Sequence, residues 1–200
     1  SELASLAEGL PVHWESSVFV RADEARPDTL KALIVGPEDT PYANGLFEFD
    51  ILLPPQYPNV PPQVRLVTTG HGSVRFNPNL YHDGKVCLSL LGTWEGPGWV
   101  PGHSTLLQVL ISIQSLILVQ EPYYNEPGLE GQHSSREGRR QAREYNLQLL
   151  PETLRWGMLE PLRKPSPFFG DVARAHLQLK REVVLRQIDA WLEDVAAPHD

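Results

Sequence analysis

From Ser16 to Thr69 the apolar residues fall at alternate positions: Val18 and Val20, then Leu30, Ala32 and Ile34, then Phe47, Phe49 and Ile51, then Val64 and Leu66. A period of two puts each set on one face of an extended chain, so every run reads as a half-buried strand. Gly36-Pro37, Asn44-Gly45 and the stretch from Pro54 to Pro62 punctuate the runs. The gaps are short enough for neighbouring strands to pair antiparallel, which predicts a four-stranded meander.

Helices surround it. Leu3, Leu6, Ala7 and Leu10 share helical spacing, and Pro11 stops that pattern, which predicts a short helix over Glu2 to Leu10. Residues 70–102 are rich in Gly, Pro, Asn and His and read as irregular chain. Thr105 and Gln108 fit a capping box ahead of a wide apolar face made by Leu106, Leu107, Val109, Leu110, Ile113, Leu116 and Ile117, the signature of a buried central helix. Glu121-Pro122 breaks it. An Arg-rich helix from about Ser135 to Leu150 should end at Pro151, a short helix should cover Glu152 to Leu162, and Phe168 and Phe169 should plug the core. Leu177, Val184, Ile188, Trp191, Leu192 and Val195 predict one last helix from Asp171 to Val195. Strands first and helices after is the order of an α+β domain. The expected organisation is a core over residues 1–150 with a helical extension, 151–200, packed on it.

Composition excludes several classes of function. At 200 residues and 41% hydrophobic content the chain suits a single domain. A net charge of −8 offers no broad basic surface, so nucleic acid is not expected as a partner, and the cluster Arg136, Arg139, Arg140 and Arg143 reads as a solvated helix face. No apolar run approaches the roughly 20 residues that span a bilayer, and the start lacks a signal-peptide layout, so a cytoplasmic protein is expected, with the nucleus as a second compartment, and no membrane partner. The chain does not open on Met and begins inside what looks like the end of a helix, which predicts a piece cut from something longer.

The single cysteine, Cys87, sits in Gly84-Lys85-Val86-Cys87-Leu88, shortly after Asn77-Pro78-Asn79. One thiol makes neither a disulfide framework nor a Cys-rich zinc site, and no metal or cofactor is expected. A lone cysteine is by default an inert small hydrophobe. The Gly- and Pro-rich flanks place this one on an irregular surface instead. Asn79 is the best candidate for polar support: its amide can donate to an oxygen that gains negative charge when a thioester carbonyl is attacked, or can simply close the turn after Pro78, and the two roles are compatible. His71, His82 and His103 raise the possibility of a cysteine protease, but no protease signature accompanies them.

Four ordered motifs carry a resemblance: Gly36-Pro37 with Pro41-Tyr42 and Gly45, then Tyr57-Pro58 with Pro61-Pro62, then Asn77-Pro78-Asn79, then Gly84 to Leu88. They resemble the successive signatures of ubiquitin-conjugating (E2) enzymes, over nearly the whole span from Leu3 to about Leu150. The segments Asn77 to Tyr81, Ser89 to Trp94 and Glu121 to Gly128 are most similar to the large E2/E3 hybrids that join conjugating and ligase activity in one polypeptide. The resemblance implies the ubiquitin-conjugating (UBC) fold, a four-stranded sheet flanked by helices, with an extra C-terminal helix here. It implies that Cys87 accepts ubiquitin from an E1 activating enzyme as a thioester and passes it to lysines of protein substrates. Asn79 matches the family's oxyanion or loop-supporting asparagine, Glu126 the acidic residue that positions or helps deprotonate the incoming lysine, and Asn125 is its neighbour; Tyr123 and Tyr124 shape the same gate. The E1 contact should lie on the first helix and on the loops Pro58 to Pro62 and Thr93 to His103.

Two features depart from the family. Asn77 stands where most members have a structural histidine, and the loop from Thr93 to His103 is longer than in minimal members. It either screens the site, or contacts acceptors or donor ubiquitin, or is only a mobile spacer. Two rival readings therefore stay open: a noncatalytic ubiquitin-binding module on the same scaffold, and a conjugating enzyme for another ubiquitin-like modifier. Other domains of a longer parent chain are further candidate partners.

Overall fold

The computed structural model describes residues 2–23 and 25–197; Ser1, where the chain was expected to open inside a helix, and the side chain of Leu3 lie outside the described residues. Strands β1 (Val18–Asp23), β2 (Arg26–Val35), β3 (Leu46–Leu52) and β4 (Gln63–Leu66) form one antiparallel sheet in sequence order. The register sets Val20 opposite Ala32, Ala32 opposite Phe49, and Phe49 opposite Leu66, so the alternate apolar positions line up across one face. Leu30, Ala32, Ile34, Phe47, Phe49, Ile51 and Leu66 are each at most 3% exposed.

Helices α1 (Glu2–Gly9) and α2 (Leu106–Ser112) cover that face. The expected capping box is formed, with Gln108 N–H donating to Thr105 Oγ1 at 3.2 Å and Thr105 N–H to Gln108 Oε1 at 3.0 Å. Leu106, Val109, Leu110, Ile113 and Ile117 are buried, whereas Leu116 points out to solvent, contrary to expectation. The helix opens into a wider i→i+5 turn over Ile113–Ile117, which shifts Leu116 off the apolar face.

Helices α3 (Arg136–Glu152), α4 (Glu160–Arg163), α5 (Gly170–Leu179) and α6 (Arg181–Ala196) complete the α-helices among the described residues. Pro151 does not end α3: the chain runs through it and on through a wide turn, Thr153–Leu159, into α4. Burial of Leu149, Leu150 and Thr153, with Thr153 Oγ1 donating to Pro41 O at 2.9 Å, outweighs the missing N–H. The single last helix expected from the spacing is two helices broken at Lys180. The break lets α5 lie on the outer face of the sheet while α6 reaches the β2–β3 connection, where Gln187 Nε2 donates to Ala43 O at 2.8 Å. Leu33, Val35 and Leu46 on that outer face pack against Phe169 and Ala173 as a second, smaller apolar cluster. Phe169 is thus a plug as expected; Phe168 is exposed, with the Lys31 ammonium 4.7 Å from its ring centre. Among the described residues no helix is long and apolar enough to cross a membrane.

Candidate active site

The chain from Phe76 to Leu91 has almost no regular structure, so its backbone polar groups must find partners elsewhere. Leu80 N–H donates to Asn77 O at 2.9 Å, Tyr81 N–H to Lys85 O at 3.0 Å, and Gly84 N–H to Tyr81 O at 3.0 Å. These bonds fold the segment back on itself. Gly84 is required there: its φ is +90°, and a Cβ would come within 2.6 Å of Leu66 O. Leu66 N–H donates to Gly84 O at 2.8 Å, which fastens the turn to β4.

The fold-back sets Cys87 beside Asn79. Cys87 N–H donates to Asn79 O at 2.9 Å, and Asn79 Nδ2 donates to Cys87 O at 2.8 Å. Asn79 is in turn held by Asn77, whose Oδ1 accepts from Asn79 N–H at 2.8 Å. Asn77 is fully buried, and its Nδ2 donates to Ile117 O at 2.8 Å and Tyr42 OH at 3.2 Å. The Tyr42 hydroxyl donates onward to Phe76 O at 2.7 Å. Asn77 therefore ties the loop to the end of the central helix and to the Pro41-Tyr42 motif.

Asn125 and Glu126 arrive from the opposite side, at the end of a short 3₁₀ turn over Pro122–Asn125. Asn125 Nδ2 donates to Leu116 O at 3.0 Å and lies 3.4 Å from Asn77 Oδ1. Glu126 pairs with Arg75 at 3.3 Å, and the same Arg75 nitrogen donates to Pro78 O at 2.7 Å. Cys87, Asn79 and Asn125 thus belong to one set of hydrogen bonds centred on Asn77, and Glu126 reaches the same turn separately, through Arg75 to the Pro78 carbonyl. Arg75 and Thr93 were not among the residues expected at the site. The Thr93 hydroxyl accepts from Leu88 N–H at 3.0 Å and donates to Val86 O at 2.7 Å, clasping both sides of the cysteine. A lone Arg or Thr in a polar loop gives no spacing signal; only the fold-back discloses what they touch.

Cys87 lies in irregular chain as expected, yet it is 2% exposed rather than at an open surface. Burial pushes its thiol above the ordinary range, while the charges of Lys85 and Arg75 pull the other way. Of the histidines near it in sequence, His71 is turned to Trp156, with ring centres 5.1 Å apart, and to Glu160 at 3.8 Å. The long loop after Thr93 is anchored, since Trp99 Nε1 donates to Pro58 O at 2.7 Å and its ring packs against Tyr57.

The family profile described as ubiquitin-conjugating enzyme matches residues 10–149. The chain belongs to the ubiquitin-conjugating enzyme family. Its α+β fold is the UBC fold, its role is E2 conjugation, and it is a transferase; the noncatalytic alternative is not favoured. It is 53% identical over 198 residues to the probable ubiquitin-conjugating enzyme protein 17 of Caenorhabditis elegans, covering 98% of this chain and 27% of that protein. It is 53% identical over 197 residues to the human dual E2 ubiquitin-conjugating enzyme/E3 ubiquitin-protein ligase BIRC6, covering 97% of this chain and 4% of that protein. A probable ubiquitin-conjugating enzyme E2 25 of Arabidopsis thaliana is 46% identical over 177 residues, 87% of this chain and 28% of that protein. The chain therefore spans between 4% and 28% of the length of these relatives.

Proposed function

We propose that this chain is the conjugating domain of a larger E2/E3 hybrid, that it takes ubiquitin from an E1 activating enzyme onto Cys87, and that it passes the ubiquitin to lysines of protein substrates. The pair of hydrogen bonds between Asn79 and Cys87 is the observation that carries the reading. In loading, Cys87 Sγ bonds to the carbonyl carbon of ubiquitin's C-terminal glycine, the E1 sulfur leaves, and the Cys87 proton ends on that departing thiolate. In transfer, the lysine Nζ bonds to the same carbon, the bond to Sγ breaks, and the amine proton leaves towards Glu126 or water. Sγ departs as a thiolate and takes up that one proton, relayed by Glu126 or water, so Cys87 is regenerated as a thiol.

Asn79 uses one amide hydrogen on Cys87 O, which supports the loop, and has a second for the oxyanion. Glu126 and Asn125 form the side from which the acceptor lysine approaches. A thiol held above its ordinary range is a scarce thiolate at neutral pH, so orientation rather than basicity carries the reaction, which thioester aminolysis allows. Contact with E1 falls on α1 and on the two loops that Trp99 joins at Pro58. We read residues 151–200 as an extension packed on the 1–150 core, supported by the Thr153–Pro41 and Gln187–Ala43 bonds. A free thiol needed for each cycle suits the reducing cytoplasm and nucleus.

Incubation with ubiquitin, its activating enzyme and ATP, followed by a nonreducing gel, tests the reading. One reductant-sensitive ubiquitin adduct, absent in Cys87→Ala and converted to a reductant-resistant adduct in Cys87→Ser, is expected. An adduct that survives Cys87→Ala, or one formed only with another ubiquitin-like modifier, overturns it.

A further inference from the structure

We propose that Arg75 is a positioning residue for lysine transfer, one that fixes the Glu126 carboxylate beside the Asn77-Pro78-Asn79 turn; this rests on the reading of Cys87 as the loaded thiol. Arg75 is held in three ways at once. Its Nη2 donates to Pro78 O at 2.7 Å, the same nitrogen meets Glu126 Oε2 at 3.3 Å, and its guanidinium lies 4.4 Å from the centre of the Tyr81 ring. The planar, permanently charged guanidinium suits this task, because it can stack on an aromatic face while its edge serves two oxygens.

The three contacts join the turn before Cys87 to the Glu126 carboxylate across the fold. Pro78 precedes Asn79 in the turn that brackets Cys87, and Tyr81 closes the fold-back through Lys85. Glu126 follows the 3₁₀ turn on the far side, 51 residues away in sequence from Arg75. Its side chain is half-exposed, so without a partner it would sample many rotamers. Asn125 is already tied to Leu116 and Asn77, which sets the backbone of the turn but not the Glu126 carboxylate. Arg75 supplies that last constraint, and the Pro78 carbonyl and the Tyr81 ring keep Arg75 itself from swinging out with its partner.

The consequence separates loading from transfer. Glu126 has no work to do while Cys87 receives ubiquitin; it acts when a lysine approaches. Freeing the carboxylate from Arg75 leaves it able to attract an ammonium group but no longer aimed, so the rate constant of transfer falls without a rise in the lysine concentration needed for half-saturation.

The test uses enzyme already charged with ubiquitin on Cys87, mixed with free lysine over a range of concentrations, and follows decay of the adduct in a single turnover. A rate constant per charged molecule does not depend on how much of the sample is folded, so a merely structural defect would lower the yield of adduct and leave it unmoved. Arg75→Ala should lower the limiting rate constant about five- to tenfold with an unchanged or lower half-saturating lysine concentration, and Arg75→Lys, which keeps the charge, should recover part of it. In a Glu126→Gln background the Arg75→Ala change should have an effect of less than about twofold, since both act through one carboxylate. An unchanged rate constant in Arg75→Ala, or effects of the two substitutions that multiply in full, overturns the proposal. Failure of the wild-type chain to form any adduct would instead overturn the reading of Cys87 on which it rests.

Discussion

In the segment from Phe76 to Cys87 buried amides set the path of the chain between the apolar anchors Phe76, Leu80 and Val86, whereas on the outer face of the sheet α5 is held by Phe169 and Ala173 against Leu33, Val35 and Leu46. Both regions exclude water. The loop is fixed by directional bonds, each closing one orphaned backbone group, so a change of a single atom matters. The outer face is fixed by area and fit, so size and shape matter more than identity. That difference suits their proposed tasks. A thioester site needs one geometry at Cys87, while the extension needs only to stay down.

Leucine placed in each region separates the two most sharply. Asn77→Leu keeps the branched shape but is larger, leaves Asn79 N–H buried without a partner and takes from Ile117 O one of its two donors, the other being Val119 N–H, and should cost about 4 kcal/mol of unfolding free energy. Phe169→Leu should cost only about 1 kcal/mol, although Phe169→Ala, which opens a cavity at a site 1% exposed, should cost about 3 kcal/mol. Urea unfolding, compared at equal slope, measures all three. The comparison breaks if Asn77→Leu is tolerated as well as Phe169→Leu.

The same difference explains what could be read before the structure. Alternation of apolar residues gives the four strands and their order, because the sheet core depends on pattern. The capping box at Thr105 was legible for a similar reason: it needs two residues three positions apart. Cys87, Asn79, Asn125 and Glu126 were named through motifs in a fixed order. Arg75 and Thr93 were not, since their partners, Glu126 and the two strands of loop beside Cys87, come together only in three dimensions. The break at Lys180 was hidden too. No Gly or Pro marks it, and the turn exists because α5 and α6 pack on different surfaces. Cys87 was placed at an open surface on the strength of its Gly- and Pro-rich neighbours, whereas loop composition constrains backbone shape and says little about which side chain is covered.

The outer region carries two polar exceptions, His176 and Lys180, and the first supplies the last way to sharpen the comparison. His176 on α5 has its Nε2 buried without a partner; burial and then the nearby Lys180 charge hold its ionisation down to about 4, against 6.5 for a free imidazole. Between those values the unfolded chain binds a proton that the folded chain refuses, so stability is complete above pH 6.5 and is lost as pH falls towards 4. From pH 7 to pH 5 the loss from this one group should be at most about 2 kcal/mol. The amides of Asn77 and Asn79 do not titrate, so the loop at Cys87 adds nothing of this kind. Unfolding midpoints measured across that range should therefore flatten in His176→Gln and stay steep in a loop variant such as Asn79→Ala. Equal slopes in His176→Gln and the parent would mean that the seam beneath α5 is as insensitive to protons as the loop, and the exception at His176 would carry no energy.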